Sequence, residues 1–194
     1  MNSLINLALI GASGVVGKKI ISLLENKDIE INNFYPLGSS SVGDEIVFNN
    51  NEYKIEDLTN FDYSKVNLAI FSAGSKVAEE HAKDFVNAGV YVIDLSSKFR
   101  YEKHVPLIIP EINGNEINLL DTPSLISNPN CSTSQLLMAI APIHKEYEID
   151  ILIHGSDNLF NSDNFEVINF PRTKGISSSE IRLKAFASII SKRK

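Results

Sequence analysis

Leu4-Ile5-Asn6-Leu7-Ala8-Leu9-Ile10 runs directly into Gly11-Ala12-Ser13-Gly14-Val15-Val16-Gly17, and then into a helical pattern from Lys18 to Glu25. The opening run is apolar but for Asn6, as expected of a parallel strand buried on both faces. Glycines in such a turn let the backbone bend tightly and approach a ligand, and they let the following helix pack closely on the strand. Strand, glycine turn and helix start together predict a dinucleotide site, in which the pyrophosphate meets the unpaired N–H groups and positive dipole of the helix N-terminus. Gly11, Ser13, Gly14, Val15, Val16 and Gly17 are the expected cofactor-binding residues of this turn. A mononucleotide phosphate loop does not fit. Ala12 falls where its first glycine would lie, and Lys19 stands where Ser or Thr is required.

Beyond the first helix a second strand is expected over about Ile31 to Tyr35, ending near the adenosine ribose. NAD sites place an acid there, about 20 residues past the glycines. This chain has Gly38-Ser39-Ser40-Ser41 instead. Hydroxyls can hydrogen-bond a 2′-phosphate that an acid would repel, so Ser39 and Ser40 point to NADP, against the alternative of a plain polar turn. Val66 to Phe71 reads as a buried strand, followed by Ser72-Ala73-Gly74, an amphipathic helix from about Lys76 to Ala88, the helix-ending Gly89, and a strand over Val90 to Ile93. Alternating strands and helices predict an α/β fold, a doubly wound parallel sheet of Rossmann type with its ligand at the strands' carboxyl ends. Ser72, Ala73 and Gly74 sit at such an end and join the expected cofactor site. Residues 42 to 58, with Asn49-Asn50-Asn51 between two short alternating runs, read as a surface β-hairpin.

At 194 residues, with 43% apolar residues and a net charge of −6, the chain has the composition of an ordinary soluble globular protein of one domain or one and a half. Nucleic acid and membrane are not expected as partners. No apolar run approaches the roughly 18 to 20 residues that span a bilayer, and no basic region followed by a long apolar core opens the chain. One cysteine rules out an internal disulfide framework, so the cytoplasm is the expected compartment, and no metal site is expected. The basic end Lys192-Arg193-Lys194 reads as a solvated helix terminus.

That cysteine, Cys131, lies in Ser127-Asn128-Pro129-Asn130-Cys131-Ser132-Thr133-Ser134, at the head of an apolar helix-like stretch from Gln135 to His144. Unpaired N–H groups and the helix dipole stabilise a thiolate at such a position, which makes Cys131 a candidate nucleophile. The alternative is a small buried hydrophobe. The flanking Pro, Asn, Ser and Thr argue against a core position.

Asn-Pro-Asn-Cys-Ser-Thr resembles the nucleophile motif of aspartate-semialdehyde dehydrogenases. The glycine turn, Phe71-Ser72-Ala73-Gly74, Val92-Ile93-Asp94-Leu95-Ser96-Ser97-Lys98-Phe99-Arg100 and Val105-Pro106-Leu107-Ile108-Ile109-Pro110-Glu111-Ile112-Asn113 follow the same family's order and approximate spacing. Acetylglutamyl-phosphate reductases are related but typically carry Gly where this chain has Asn130, which favours the aspartyl branch. The resemblance implies that Cys131 attacks the semialdehyde carbonyl, that hydride passes to NADP, and that phosphate releases the resulting thioester as aspartyl phosphate, with biosynthesis running in reverse. It further implies that Asn130 helps to position the carbonyl. Arg100, otherwise read as a solvated arginine, would hold phosphate or the acyl phosphate through its bidentate fork. A homo-oligomer acting on these small molecules is implied as well.

The resemblance stops near Ile143. In this chain of 194 residues 63 follow Cys131, whereas the family's second domain needs well over a hundred. No later segment matches its glutamine-containing strand motif, its substrate-carboxylate arginine or its acid/base histidine. His144 lies about four turns along the helix from Cys131 and reads as a surface residue. Asp150 to Asp157, Phe165 to Ile168 and Pro171 to Arg182 resemble instead the end of the cytidylyltransferase family, where an Arg-Thr-x-Gly-Ile-Ser segment touches nucleotide phosphates. Ser177 with Glu180 forms a capping box ahead of an anion-binding helix start. That family's His-x-Gly-His element is absent, and His154 does not replace it. The expected organisation is a dinucleotide-binding domain over 1–130, the start of a catalytic and dimerisation domain over 131–149, and a short α/β tail over 150–194, a truncated or foreign second region. Two readings stand beside the dehydrogenase: a non-catalytic dinucleotide-binding remnant fused to a nucleotidyltransferase tail, and a nucleotidyltransferase.

Overall fold

The computed structural model describes residues 4–27, 29–147, 151–155 and 165–169. The chain divides into two compact units, Met1–Phe99 with Leu120–Asn128, and Arg100–Leu119 with Pro129–Lys194.

The first unit begins with strand β1 (Ile5–Ile10), helix α1 (Val15–Glu25) and strand β2 (Ile31–Gly38). A hairpin of β3 (Glu45–Phe48) and β4 (Asn51–Lys54) follows, then the short β5 (Glu56–Asp57), β6 (Leu68–Phe71), helix α2 (Ser75–Asn87) and β7 (Tyr91–Asp94). β8 (Leu125–Ser127) returns to the same sheet. The six strands run in the order β5-β2-β1-β6-β7-β8, all parallel. The doubly wound sheet expected from the sequence is therefore present, and β1 lies inside it, between β2 and β6.

Strand alternation explains the double winding. Leu7 and Leu9 of β1, Phe34 of β2, and Leu68 and Ile70 of β6 pack with Ile20, Ile21 and Leu24 of α1. Phe48 and Tyr53 of the hairpin close this layer, with Phe48 tilted against Phe34 at 4.6 Å and Tyr53 edge-on to it at 5.3 Å. The intervening residues serve the other face. Phe71 of β6 meets Phe85 of α2 edge-on at 5.5 Å, and Tyr35 of β2 meets Phe61 at 5.4 Å. Helix α2 accordingly packs against β6, β7 and β8, burying Ala78, Ala82 and Phe85. Asn49 and Asn50 take positive φ (49° and 61°), as a two-residue hairpin turn requires, and Asn tolerates that region better than most residues.

Several boundaries shift from their sequence positions. α1 starts at Val15 rather than Lys18, because Gly14 already accepts the first helical bond, from Lys18 N–H at 2.9 Å. β2 continues to Gly38 because Pro36, Leu37 and Gly38 find partners in β1 and β5. Gly89, with φ +87°, ends α2 as expected.

In the second unit Pro110 opens a short helix α3 (Pro110–Asn113), where its missing N–H leaves no helical partner unmet. Asn113 is fully buried and ties the segment together, accepting from Ile109 N–H at 2.8 Å and donating to the Leu107 carbonyl at 3.0 Å. Helix α4 spans Cys131–Tyr147, four residues earlier than the apolar stretch suggested. β9 (Ile151–Gly155) and β10 (Phe165–Asn169) form an antiparallel pair. The segment Pro171 to Arg182, on which the cytidylyltransferase resemblance chiefly rests, and the basic end at 192–194 lie outside the described residues. Among the described residues no helix is long and apolar enough to cross a membrane.

Candidate functional site

Contact distances in the glycine turn explain why no side chain fits at Gly11 or Gly17. Gly11 has φ +83°, and a Cβ on it would stand 2.9 Å from the backbone nitrogen of Ala73, so the turn rests on the chain leaving β6. Gly17 is buried, and its Cβ would lie 2.3 Å from the Gly11 carbonyl oxygen, which seats α1 directly on the turn. Between them Gly14 caps α1 and donates to the Gly11 carbonyl at 3.1 Å. Gly14, Val15 and Val16 are exposed, Val15 at 89%, leaving the first turn of α1 open to a ligand.

Two neighbouring segments frame that turn. The Ser13 hydroxyl donates to the Ser41 hydroxyl at 2.9 Å, tying the glycine turn to the loop after β2, while Ser39 and Ser40 stand exposed beside it. Ser72 donates its backbone N–H and its hydroxyl to the Ile10 carbonyl, at 2.9 and 2.8 Å. Its hydroxyl proton thus holds the ends of β1 and β6 together, and only its oxygen lone pairs remain for a ligand. Ala73 and Gly74 are exposed, with Gly74 (φ +89°) capping α2. Gly11 to Gly17, Ser39 to Ser41 and Ser72 to Gly74 therefore gather at the carboxyl ends of three adjacent strands, where open α/β sheets bind their ligands.

In the second unit Cys131 is the first residue of α4, and it is exposed. The alternative of a buried hydrophobe is excluded. The Asn130 carboxamide oxygen accepts from Ser132 N–H at 3.0 Å, from the Ser132 hydroxyl at 2.9 Å and from the Cys131 thiol at 3.5 Å. Its backbone carbonyl accepts from Ser134 N–H at 2.8 Å. Asn130 is thus the N-cap of α4 and sets the backbone that presents Cys131. Buried Thr133 and Leu137 seat the helix behind it. Arg100 is half-buried and opens the second unit, immediately after the fully buried Phe99. His144 stands on α4 about 20 Å along the axis from Cys131 at 1.5 Å per residue.

Motif matching alone missed the role of Asp94. It is fully buried at the end of β7, where it accepts from Ser96 N–H and from the Ser96 hydroxyl, both at 2.9 Å. The Asp-x-Ser spacing, an Asx-turn pattern, is the sequence feature that would have found it.

Residues 6–120 match the family model described as semialdehyde dehydrogenase, NAD binding domain. An aspartate-semialdehyde dehydrogenase of Legionella pneumophila is 42% identical over 145 residues, which cover 74% of this chain and 42% of the relative. One from Helicobacter pylori is 37% identical over 191 residues, 96% of this chain and 52% of the relative. The crystal structure of aspartate semialdehyde dehydrogenase II complexed with ASA, from Vibrio cholerae, superposes with a TM-score of 0.73 at 36% identity, covering 76% of this chain and 49% of that one. This chain spans about half the length of the curated relatives it matches. With the family model covering more than half of its residues and the glycine turn, parallel sheet and strand order in place, the chain belongs to the semialdehyde dehydrogenase family, of which it carries the nucleotide-binding domain.

Proposed function

We propose that this chain provides the NADP-binding and nucleophilic parts of an aspartate-semialdehyde dehydrogenase, which reduces aspartyl phosphate to the semialdehyde through a Cys131 thioester. The exposed, Asn130-capped Cys131 at the start of α4, in a chain of this family, is the observation that carries the proposal. The Cys131 thiolate attacks the acyl carbon, phosphate leaves with its bonding electron pair, and a thioester remains. The glycine turn at Gly11 to Gly17, with Ser39 to Ser41 and Ser72 to Gly74, would hold the dinucleotide, whose reduced form would supply the hydride that takes the thioester to the aldehyde and frees the Cys131 thiolate. Asn130, whose carboxamide oxygen caps the helix, has its NH2 group left to donate to the acyl oxygen. Arg100 would hold the phosphate.

The residues fit a dinucleotide. Cβ atoms at Gly11 and Gly17 would obstruct the turn, and the helix start above it is open. Ser39, Ser40 and Ser41 replace the acid that would repel a 2′-phosphate, so NADP should bind more tightly than NAD. The cytoplasm, a homo-oligomer and the domain limits at residues 130 and 149 belong to the same proposal. So does partnership with small molecules only, and not with nucleic acid or membrane. For the tail, the Helicobacter pylori alignment, running over 96% of the chain, favours one family throughout over a foreign cytidylyltransferase end.

Fluorescence titration with both cofactors tests the nucleotide preference; equal affinities, or tighter NAD, would overturn it. The chemistry is tested by NADPH formation from aspartate semialdehyde and phosphate, with Cys131→Ala as control. NADPH formation that survives Cys131→Ala would overturn the proposal, and a covalent Cys131 adduct with the semialdehyde, visible by mass spectrometry and absent from Cys131→Ala, is expected. No adduct on the wild-type thiol would sink the nucleophile assignment.

A further inference from the structure

Helix α2 grips the loop after β7 at three successive turns. Ser75, Glu79 and Lys83 are spaced four residues apart and so form one stripe along the helix. Ser75 and Ser97 share a hydrogen bond between their hydroxyls at 3.0 Å. Glu79 pairs with the Lys98 ammonium. Lys83 places its ammonium 5.6 Å from the centre of the Phe99 ring. Three consecutive loop residues, 97, 98 and 99, thus meet three consecutive steps of one helical stripe. From the inner side Asp94 accepts from Ser96, and the Ser96 hydroxyl accepts from Lys98 N–H at 3.1 Å, so the backbone from 94 to 98 is braced as well. Phe99 is fully buried. The next residue is Arg100.

We propose that the α2 stripe is the mount of Arg100, with Glu79 and Lys98 as positioning residues for the phosphate-bearing substrate. The proposal rests on the reading of Arg100 as the anion-binding residue. A planar guanidinium binds phosphate through two parallel N–H donors and is sensitive to how its stem is anchored. Anchoring three residues in a row just before Arg100 limits the swing of its backbone. The Glu79–Lys98 pair is partly exposed, the Glu79 side chain 60% and the Lys98 side chain 29% accessible, and a pair open to solvent in this way contributes little to stability. A pair of this kind, placed one residue from Phe99-Arg100, is better explained by orientation than by folding.

The test is a charge exchange in the full chain, read by 31P NMR titration with inorganic phosphate at saturating NADP. Lys98→Glu should raise the dissociation constant for phosphate roughly threefold or more, with NADP affinity and thermal midpoint unchanged. Adding Glu79→Lys to it restores the pair with reversed polarity and should return phosphate affinity to near the wild-type value. An unchanged phosphate affinity in Lys98→Glu would overturn the mount. Failure of the exchange to rescue would also overturn it, by showing that Lys98 touches the anion directly. Arg100→Met is the separate control. If it leaves phosphate binding intact, the assignment of Arg100 itself fails, whereas lost binding in Arg100→Met with an unaffected Lys98→Glu would reject the mount alone.

Discussion

The glycine turn ahead of α1 and the Asn130–Ser132 turn ahead of α4 both deliver an open helix start, yet they are held by different forces. At the first, backbone meets backbone so closely that a single Cβ at Gly17 would come within 2.3 Å of a carbonyl oxygen. At the second, one carboxamide oxygen, that of Asn130, accepts from Ser132 and from the thiol, and both Asn130 and Cys131 stand exposed. The first site is built by shape and admits no side chain at Gly11 or Gly17, while the second is built by hydrogen bonds and carries its chemistry on a side chain. Substitutions should therefore damage the first through the fold and the second through the reaction.

The sharpest way to break this contrast is Gly17→Val. With backbone oxygens of Gly11 and Ala12 in the path of its side chain, nothing flexible can give way. A loss of about 3 kcal/mol in urea denaturation is expected, with NADP binding lost in parallel. Wild-type stability would show that the turn can relax, and that shape is not what holds it.

A smaller effect is expected at the other helix. Asn130→Ala removes the acceptor for Ser132 N–H and should cost about 1 kcal/mol. Asn130→Asp keeps that acceptor and should recover most of the loss, while still lacking the NH2 group proposed to meet the acyl oxygen. If Asp recovered neither stability nor helicity by circular dichroism, the cap would not be what orders this turn.

The smallest effect is at a third turn of the capped kind. Asp57 accepts from Thr59 N–H at 2.9 Å, from the Thr59 hydroxyl at 2.8 Å and from Asn60 at 2.8 Å. The Thr59 N–H first, and then its hydroxyl, hold the Asp57 carboxyl below the usual carboxylate range. A lowered folded value means that the contribution is present above the unfolded value, about 3.9, and is lost as pH falls through the folded one. The stability advantage of wild type over Asp57→Ala should thus be measurable at pH 6 and shrink below about pH 4. A pH-independent difference would assign the effect to packing.

Local spacing by itself determines much of this protein. A seven-residue, largely apolar run leading into glycines at 11, 14 and 17 leaves few backbone solutions, because period and φ freedom are properties of neighbouring residues. Alternating strand and helix patterns then dictate a parallel sheet wound on both faces. Asn-Pro-Asn-Cys-Ser-Thr likewise marks a helix start and a thiol at its head, and Cys131 stands there.

Other features depend on residues far apart in the chain meeting at contact distance, which no local pattern encodes. Residues 100–119 leave the first unit and 120–128 return to it, so that Leu125–Ser127 becomes one of the sheet's two edge strands. Ser13 finds Ser41 across 28 residues, and Phe48 of the hairpin reaches Phe34 to close the layer over α1. Ser75, Glu79 and Lys83 look in sequence like any polar helix face. They become a clamp on Ser97, Lys98 and Phe99 only because β6 and β7 pair side by side, which brings the helix that follows one against the loop that follows the other.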